Sequence, residues 1–540
     1  MQIHSTTLPN KSKLIKQYQA HDEEVMKYFH YKPYEPLKDR LTDLKLRKYN
    51  RKALRDALYT MNQTWSPPKA TFKNIDQLLD EDSVVVVGGQ QAGLLTGPLY
   101  TINKIISIII FAKQQEEKLS IPVVPVFWIA GEDHDLDEVN HIYVEQSERI
   151  KKHILKQHEI YKRSLSDIKL DKQQVEQWIN EALLTLGETS FTKNLFESLK
   201  NCLNTSNTFV DFFARCIFEL FPSAGIVLLD AAHPAIRELE APMFRQLIQN
   251  QEMISEEVYE TAEQIRQNGY TLSLEVEKDD AHIFFHDEHN ERILLKKVGD
   301  KWIGKQEEVQ LTTKEMLQLA NETPERLSNN VVTRPIMQEF LLPTLAFIGG
   351  HGEISYWATL KKAFHQCEME MPPVIPRLSF TYVTEKTKKI LDKLSIDVTT
   401  VLNNQLNEKK MNWLMSQQEA PIQRVIEQMK KDIAKSHEPI QDYAANLSSD
   451  MGEFAKSNLV QIEKQLNFLK NKLVNKVNEK YDVHLRYFDQ VESNLNPNQQ
   501  LQERVWSPLQ IMNENGIEFV EQLLTIYQFS FEKDHYVVSF

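Results

Sequence analysis

Uninterrupted apolar runs, each followed by a polar loop and then an amphipathic or apolar stretch, set the pattern of this chain. Four segments share that order: Val84–Ala112, Ile121–His141, Gly225–Gln246 and Leu345–Phe364. Their leading runs (VVVV at 84–87, VVPVFWIA at 123–130, GIVLLD at 225–230, LAFIGG at 345–350) do not alternate with polar residues, as expected of strands buried on both faces. Val374–Thr381, VIPRLSFT, predicts one further strand. Continuous apolar strands alternating with helices predict an α/β fold with a parallel sheet covered on both sides. Such sheets bind ligands beyond the carboxyl ends of their strands, so the polar loops should converge on one site.

Two regions depart from this pattern. Between Tyr270 and Trp302 the runs LSLEVEK, AHIFFHD and RILLKKVG are short and alternating, which predicts an antiparallel β-meander near 270–302 inserted in the α/β domain. From about Tyr382 to His484 glycine almost vanishes. There Ile440, Ala444, Leu447, Met451 and Phe454 keep a 4-3-4-3 spacing, resumed after a slip by Ile462, Leu466, Leu469, Leu473 and Val477. That is coiled-coil spacing. Pro439 is expected to separate this long helix from an earlier one over 421–437, giving an antiparallel hairpin. Its apolar face would pack within its own helical domain or against another molecule. Residues 14–79 read as mostly helical with a turn at Ser66-Pro67-Pro68, and HYVVSF at 535–540 as an edge strand or packing segment. The expected division is an α/β core over 1–381, a helical arm over 382–490, and a segment packing back on the core over 491–540.

Composition narrows the function. A chain of 540 residues with 41% hydrophobic and 26% charged content supports a large core and two or three domains. The net charge of −13 argues against nucleic acid or an anionic membrane as the main partner. Residues 1–20 lack the apolar run of a signal peptide, and Ile105–Ala112 is far shorter than a membrane span, so a cytoplasmic location is expected. The three cysteines have no CxxC spacing. They are expected to be buried hydrophobes in a reducing compartment, without disulfide or zinc roles.

Three loops carry the candidate chemistry. In GGQQAGLLTGP (88–98) a strand, a glycine-rich turn and a helix start gather backbone donors around one point, which suits a phosphate or carboxylate. Its candidate binding residues are Gln90, Gln91, Gly93, Thr96, Gly97 and Tyr100. Neither GxGxxG nor GxxxxGK[ST] is present, and the glycines would equally serve a tight connection. GEDHDLDEVNH (131–141) has seven acidic or imidazole groups in eleven residues and follows a strand bearing Trp128. As a helix it would align His134, Glu138 and His141; extended, it would align Asp133, Asp135 and Asp137. Either geometry suits Mg²⁺ or a general base, and a solvated acidic turn is the plainer alternative. His134, Asp135 and Asp137 are catalytic candidates, with Glu132, Asp133 and His141 as binding candidates. The loop is not HExxH, and no metal-ligand set is assigned.

The third loop, GGHGEISYW (349–357), offers His351 as a general base or phosphate contact and Glu353 as a ligand for a substrate amine, with Gly350, Tyr356 and Trp357 beside them, and its glycines would equally serve to end the strand. Asp230 ends its strand where it would bind an amine or hydroxyl, or cap the next helix. Arg334 and Arg377 are candidates for a cationic clamp, and Arg334 would equally form a surface ion pair. His282, His286 and His289 fall amid charge in the expected hairpin and read as surface residues.

GGQQAGLLTGPLYTINK, PVVPVFWIAGEDHDLDEVNH and GGHGEISYW, in this order, closely resemble the bacillithiol biosynthesis cysteine-adding enzymes, BshC, and the similarity runs over nearly the whole chain. The resemblance implies a Rossmann-like core related to class I aminoacyl-tRNA synthetases and pantothenate synthetase, and a coiled-coil arm that makes a homodimer. It implies the last step of the pathway, joining L-cysteine to the glucosamine amine of glucosaminyl-malate. An amide of this kind forms uphill in water, so the carboxylate needs activation. ATP with Mg²⁺ would serve, but the HxGH and KMSKS signatures of the related adenylate-forming enzymes are absent, and Gln-Gln-Ala-Gly stands where a histidine pair is expected. The cofactor therefore stays open. Two alternatives remain: an adenylate-forming or nucleotidyl-transferring enzyme acting on another small acid, and a non-catalytic coiled-coil adaptor.

Overall fold

Valines 84–87 present no polar face to water, and they and the other apolar runs pair into a parallel sheet. Its strands are β1 (Val84–Gln90), β2 (Val123–Ile129), β3 (Val227–Asp230), β4 (Thr344–Gly349) and β5 (Val374–Pro376), ordered β5-β4-β1-β2-β3 in this computed structural model. All four pairings are parallel. The strand order reverses at β1, and a doubly wound sheet opens a binding crevice at such a reversal, here between the loops after β1 and β4. The structure describes residues 1–146, 149–157, 159–417, 421–526 and 528–540. They fall into two units, residues 1–384 with 500–540, and residues 385–499.

The turn after β1 is tightly wound. Leu95, Thr96 and Gly97 follow one another at φ of 49°, 69° and 71°. Only glycine takes this left-handed backbone freely, so Leu95 and Thr96 cost on the order of 1–2 kcal/mol each. Both are buried at 1% exposure, and that packing holds them there. A Cβ on Gly93 would lie 2.8 Å from the Cα of Gly97, so the turn also needs glycine at 93. The helix Tyr100–Leu119 follows, with Ile102, Ile105, Ile106 and Ile108 buried against the sheet.

The returning segment 500–540 completes this first unit. Strand His535–Ser539 pairs antiparallel with Gln2–Thr6 and parallel with Phe380–Val383. It is therefore central in a three-stranded sheet, where an edge strand or packing segment was expected, because both partners lie far away in sequence. The expected single strand 374–381 divides instead into β5 and Phe380–Val383, which belong to different sheets. At the division stands Glu503, 1% exposed. It accepts from Arg377 Nη1 and Nη2 at 2.9 and 2.6 Å, Asn103 Nδ2 at 2.7 Å, Ser379 Oγ at 2.8 Å and the Phe380 amide at 3.3 Å. Burial alone would raise its pKa, but Arg377 draws it down to about 2.

The predicted meander is part of a larger antiparallel sheet. In spatial order its strands are Gln310–Thr312, Lys301–Gly304, Arg292–Val298, Asp280–His286 and Leu327–Asn329. The run 272–278 alternates like a strand but pairs with none. His282 and His286, expected at the surface, are 1% and 7% exposed, because sheet and helices close over them; His289 is exposed.

In the second unit, helices Ile422–Leu447 and Ser449–Lys480 pack along each other as a hairpin. Pro439 lies inside the first helix and does not end it. A long, largely exposed helix absorbs one lost hydrogen bond by bending. The break falls at Ser448, which is extended (φ −168°, ψ 159°) and whose side chain accepts from the Met451 amide to cap the second helix. The 4-3-4-3 row thus crosses a turn, with Ile440, Ala444 and Leu447 on one helix and Met451 and Phe454 on the other. Among the described residues no helix is long and apolar enough to cross a membrane.

Removing Glu503 strands the buried Arg377 charge. Glu503→Ala is expected to destabilise the protein by roughly 3–5 kcal/mol, read as a lower urea midpoint. An unchanged midpoint would show that the pair contributes nothing net.

Candidate active site

Parallel strands stand about 4.8 Å apart, so the loops after β4 and β2, on either side of β1, are separated by roughly 10 Å. Both loops, the end of β1 and the antiparallel sheet enclose a cavity of about 640 Å³. Gln90, Gln91, Tyr100, Trp128, Glu132, Asp133, His134, Asp135, Arg334, Gly350, His351, Glu353, Tyr356 and Arg377, all candidates from sequence, line it.

The other candidates lie elsewhere. Gly93, Gly97 and His141 border a small adjoining pocket of about 40 Å³ that shares Gln90, Gln91 and Tyr100. Thr96 faces Leu195, Leu199 and Cys216 on another side of the turn. Asp137 is exposed and accepts from Asn140 Nδ2 at 3.3 Å. Asp230 is buried, accepting from Ser166 Oγ at 2.8 Å and the Ala232 amide at 3.0 Å, and burial raises its pKa to about 6. Trp357 is fully buried, stacked on Phe347 at 4.4 Å between centroids.

Among the lining residues not singled out from the sequence are Lys104, Asp280, Arg292, Lys305, Asn329, Asn330 and Arg504. Lys104 was within reach of sequence reasoning, since it sits one helical turn after Tyr100 in the first motif. It is 1% exposed and crosses the β1–β4 reversal, donating to Glu353 Oε2 at 2.5 Å, the Gly89 carbonyl at 2.7 Å and Gln90 Oε1 at 3.1 Å. Burial lowers its pKa, opposed by Glu353. Glu353 in turn accepts the Gly350 amide at 2.7 Å.

Most of the cavity's charges are paired within the protein. Lys104 meets Glu353, Arg377 meets Glu503, and Lys305 meets Asp280 at 3.3 Å. Arg292 meets Asp133 at 3.3 Å while its guanidinium lies over the Phe284 ring at 3.8 Å. Gln91 Nε2 donates to Asp133 at 2.7 Å and Glu138 at 2.8 Å, so this amide too is satisfied internally. Arg334 bonds only neutral oxygens, Gln338 Oε1 at 3.1 Å and Tyr356 Oη at 3.2 Å. Neither Arg334 nor Arg504 has a carboxylate within 4 Å among the described residues. Two uncompensated guanidinium groups thus remain on the cavity wall.

The two histidines differ. His134 Nδ1 accepts from Arg292 Nη1 at 3.4 Å, which engages its basic lone pair. Burial, then Arg292, lowers its pKa. The His351 ring has no hydrogen-bond partner among the described residues. Burial, followed by Arg377 and Arg504, lowers its pKa to about 4. It is neutral at pH 7, with a ring lone pair that no described residue engages.

Away from the cavity, His30, His365 and Glu370 bring metal-ligand atoms together. The Met371 amide donates to His30 Nδ1 at 2.9 Å, so the ring proton is on Nε2, pointing to His365 Nε2 at 2.6 Å. That nitrogen has no lone pair for an ion.

A family model described as Bacillithiol biosynthesis BshC, N-terminal Rossmann-like domain, matches residues 1–378. One described as Bacillithiol biosynthesis BshC, C-terminal coiled-coil domain, matches residues 380–540. A protein of Oceanobacillus iheyensis named "Putative cysteine ligase BshC" is 39% identical over 98% of both chains. Proteins of the same name from a Geobacillus species and from Bacillus cereus strain AH187 are 43% identical over 90% of both chains and 38% identical over the full length of both.

An imidazole held neutral by the fold lets the unfolded chain bind a proton that the folded one refuses. The resulting stability is present above pH 6.5 and is lost as pH falls toward 4. Its size is up to about 3 kcal/mol. His351→Gln should therefore show a smaller drop in melting temperature between pH 7.5 and 5 than the wild type. Equal drops would mean that folding does not hold His351 neutral.

Proposed function

The chain belongs to the bacillithiol biosynthesis BshC family, and on that premise we propose that its cavity joins L-cysteine to the glucosamine amine of glucosaminyl-malate, completing bacillithiol. The observation that carries this reading is the charge pattern of the cavity: two arginines with no carboxylate within 4 Å among the described residues, Arg334 and Arg504, and the acidic loop Glu132–Asp135 after β2. An acceptor with a dicarboxylate end and a cysteine with an ammonium group match those two poles. The malyl carboxylates meet Arg334 and Arg504, and the cysteine ammonium meets Asp133 and Asp135.

His351 is the proton acceptor in this reading. The reacting amine is borne on the carbon beside the glycosidic one, close to the malyl group and therefore to the arginine pole where His351 lies. A neutral imidazole with an open lone pair takes the amine proton as the C–N bond forms. His134, engaged by Arg292, positions the acidic loop. Lys104 and Glu353 hold β1 and β4 together beneath the reacting groups, and Lys104 contributes fixed positive charge near the developing oxyanion. Condensation releases water, so the cysteine carboxyl arrives activated, by a phosphoryl donor or as a preformed acyl derivative. The protein acts in the cytoplasm as a homodimer formed through its helical arm.

The test is thiol-selective mass spectrometry on purified protein given glucosaminyl-malate and cysteine, with and without Mg-ATP. Product in the ATP arm alone assigns phosphoryl activation, and product in both arms assigns a preactivated donor. Absence of product in both, with protein that melts normally, defeats the reading. His351→Ala should lower the rate by roughly 10²–10⁴-fold, with a smaller loss in His134→Ala. Wild-type rates in both would remove these histidines from the reaction.

A further inference from the structure

One wall of the cavity comes from the antiparallel sheet, and it is unlike the charged remainder. Strand Asp280–His286 shifts register against Arg292–Val298 between Asp280 and Phe284, and His282 sits in that irregularity at φ 58°. Bulges of this kind re-aim a side chain, and a left-handed histidine persists only where its surroundings fix it. The surroundings do so. Asn330 Oδ1 accepts the amides of Val332 and Thr333 at 2.8 and 3.2 Å, which sets the orientation of its amide. Asn330 Nδ2 then donates to His282 Nδ1 at 3.1 Å. The His282 proton is thereby placed on Nε2, which has no partner among the described residues. Burial lowers the pKa of this histidine to about 4, so the ring is neutral.

Two further groups share this condition. Asn329, 1% exposed, has no partner among the described residues at either end of its side-chain amide, while its backbone carbonyl accepts from Arg292 Nη2 at 2.7 Å. Trp128, fully buried near the end of β2, has no partner among the described residues for its indole N–H. All three residues line the 640 Å³ cavity. A buried polar group left alone costs about 1–3 kcal/mol, and three of them on one cavity are an arrangement that a bound group would satisfy. They offer N–H donors from His282, Trp128 and Asn329 and one carbonyl acceptor from Asn329. None carries charge, so they suit a ligand region with neither carboxylate nor ammonium. Hydroxyl groups, which both donate and accept, fit this set.

We infer that His282, Asn329 and Trp128 form a hydroxyl-binding subsite for the hexose ring of the amine-bearing substrate, so that the inserted sheet sets sugar specificity. This rests on the ligase reading above. In it the arginine pole takes the carboxylates, His351 the amine proton, and the inserted sheet the ring between them.

The test is calorimetric titration of the full-length protein with glucosaminyl-malate and, separately, with L-malate, which has the carboxylates without the sugar. The variants are Asn329→Ala and His282→Asn, the latter because asparagine tolerates left-handed backbone. Each should weaken glucosaminyl-malate binding by roughly ten-fold or more, leave malate binding and the melting temperature unchanged, and raise KM for the sugar substrate while leaving KM for cysteine alone. Wild-type affinity for glucosaminyl-malate in both variants overturns the subsite. Equal loss of malate binding also overturns it, by reducing both residues to structural roles. Wild-type protein that binds neither compound removes the ligase reading itself, which is a separate result from either of these. If one variant melts early, the other decides.

Discussion

The catalytic unit is held together by one buried ion pair, Arg377 with Glu503. Its partners come from three places that sequence separates widely: the helix after β1 through Asn103, the stretch Arg377–Phe380 that follows β5, and the returning segment that carries Glu503 itself. The same carboxylate reaches His535 through Ser379, whose hydroxyl donates to Glu503 and lies 2.8 Å from His535 Nδ1. An ion pair in such surroundings need not add net stability over an apolar core, but it fixes one arrangement, since any other leaves a charge alone in low dielectric. That arrangement is the one that brings Arg377 and Arg504 to the cavity.

The cavity follows a consistent electrostatic rule. Charges that hold structure are paired internally, and the groups left for a ligand are two arginines with no carboxylate partner among the described residues, exposed acidic residues and neutral hydrogen-bonding side chains. Burial keeps the histidines neutral, and nearby arginines reinforce this at His134 and His351. Neutral imidazoles beside guanidinium groups suit a reaction in which an amine must give up its proton close to bound carboxylates.

The sheet and its three loops were legible because their signals are local. Continuous valine and isoleucine runs can be buried only within a covered sheet, and polar loops directly after them have one destination. The other wall of the cavity was not legible. His282 looks exposed in a charged stretch, and its burial depends on partners near 294 and 330 that only the folded sheet supplies. Arg504 reaches the cavity from beyond the arm, so no nearby motif marks it. Pro439 misled because breaking a helix is its usual effect, and the exposed hairpin tolerated it. The apparent heptad row across Ser448 was two rows meeting at a turn, a case where periodicity was real and continuity was not.

Gln502 and Tyr382 close the first unit around the arm's two points of departure, the Tyr382 amide donating to Gln502 Oε1 at 2.8 Å and Gln502 Nε2 to the Tyr382 carbonyl at 2.9 Å. On the ribosome this imposes an order. The parallel sheet, with Arg377 at its edge, emerges early; more than a hundred residues of helical arm follow before Glu503. During that interval Arg377 has no counter-ion and the strand Phe380–Val383 has no neighbour in its own sheet. Translation thus leaves the Arg377 charge and this strand unpaired until the arm and the segment beyond it have been made.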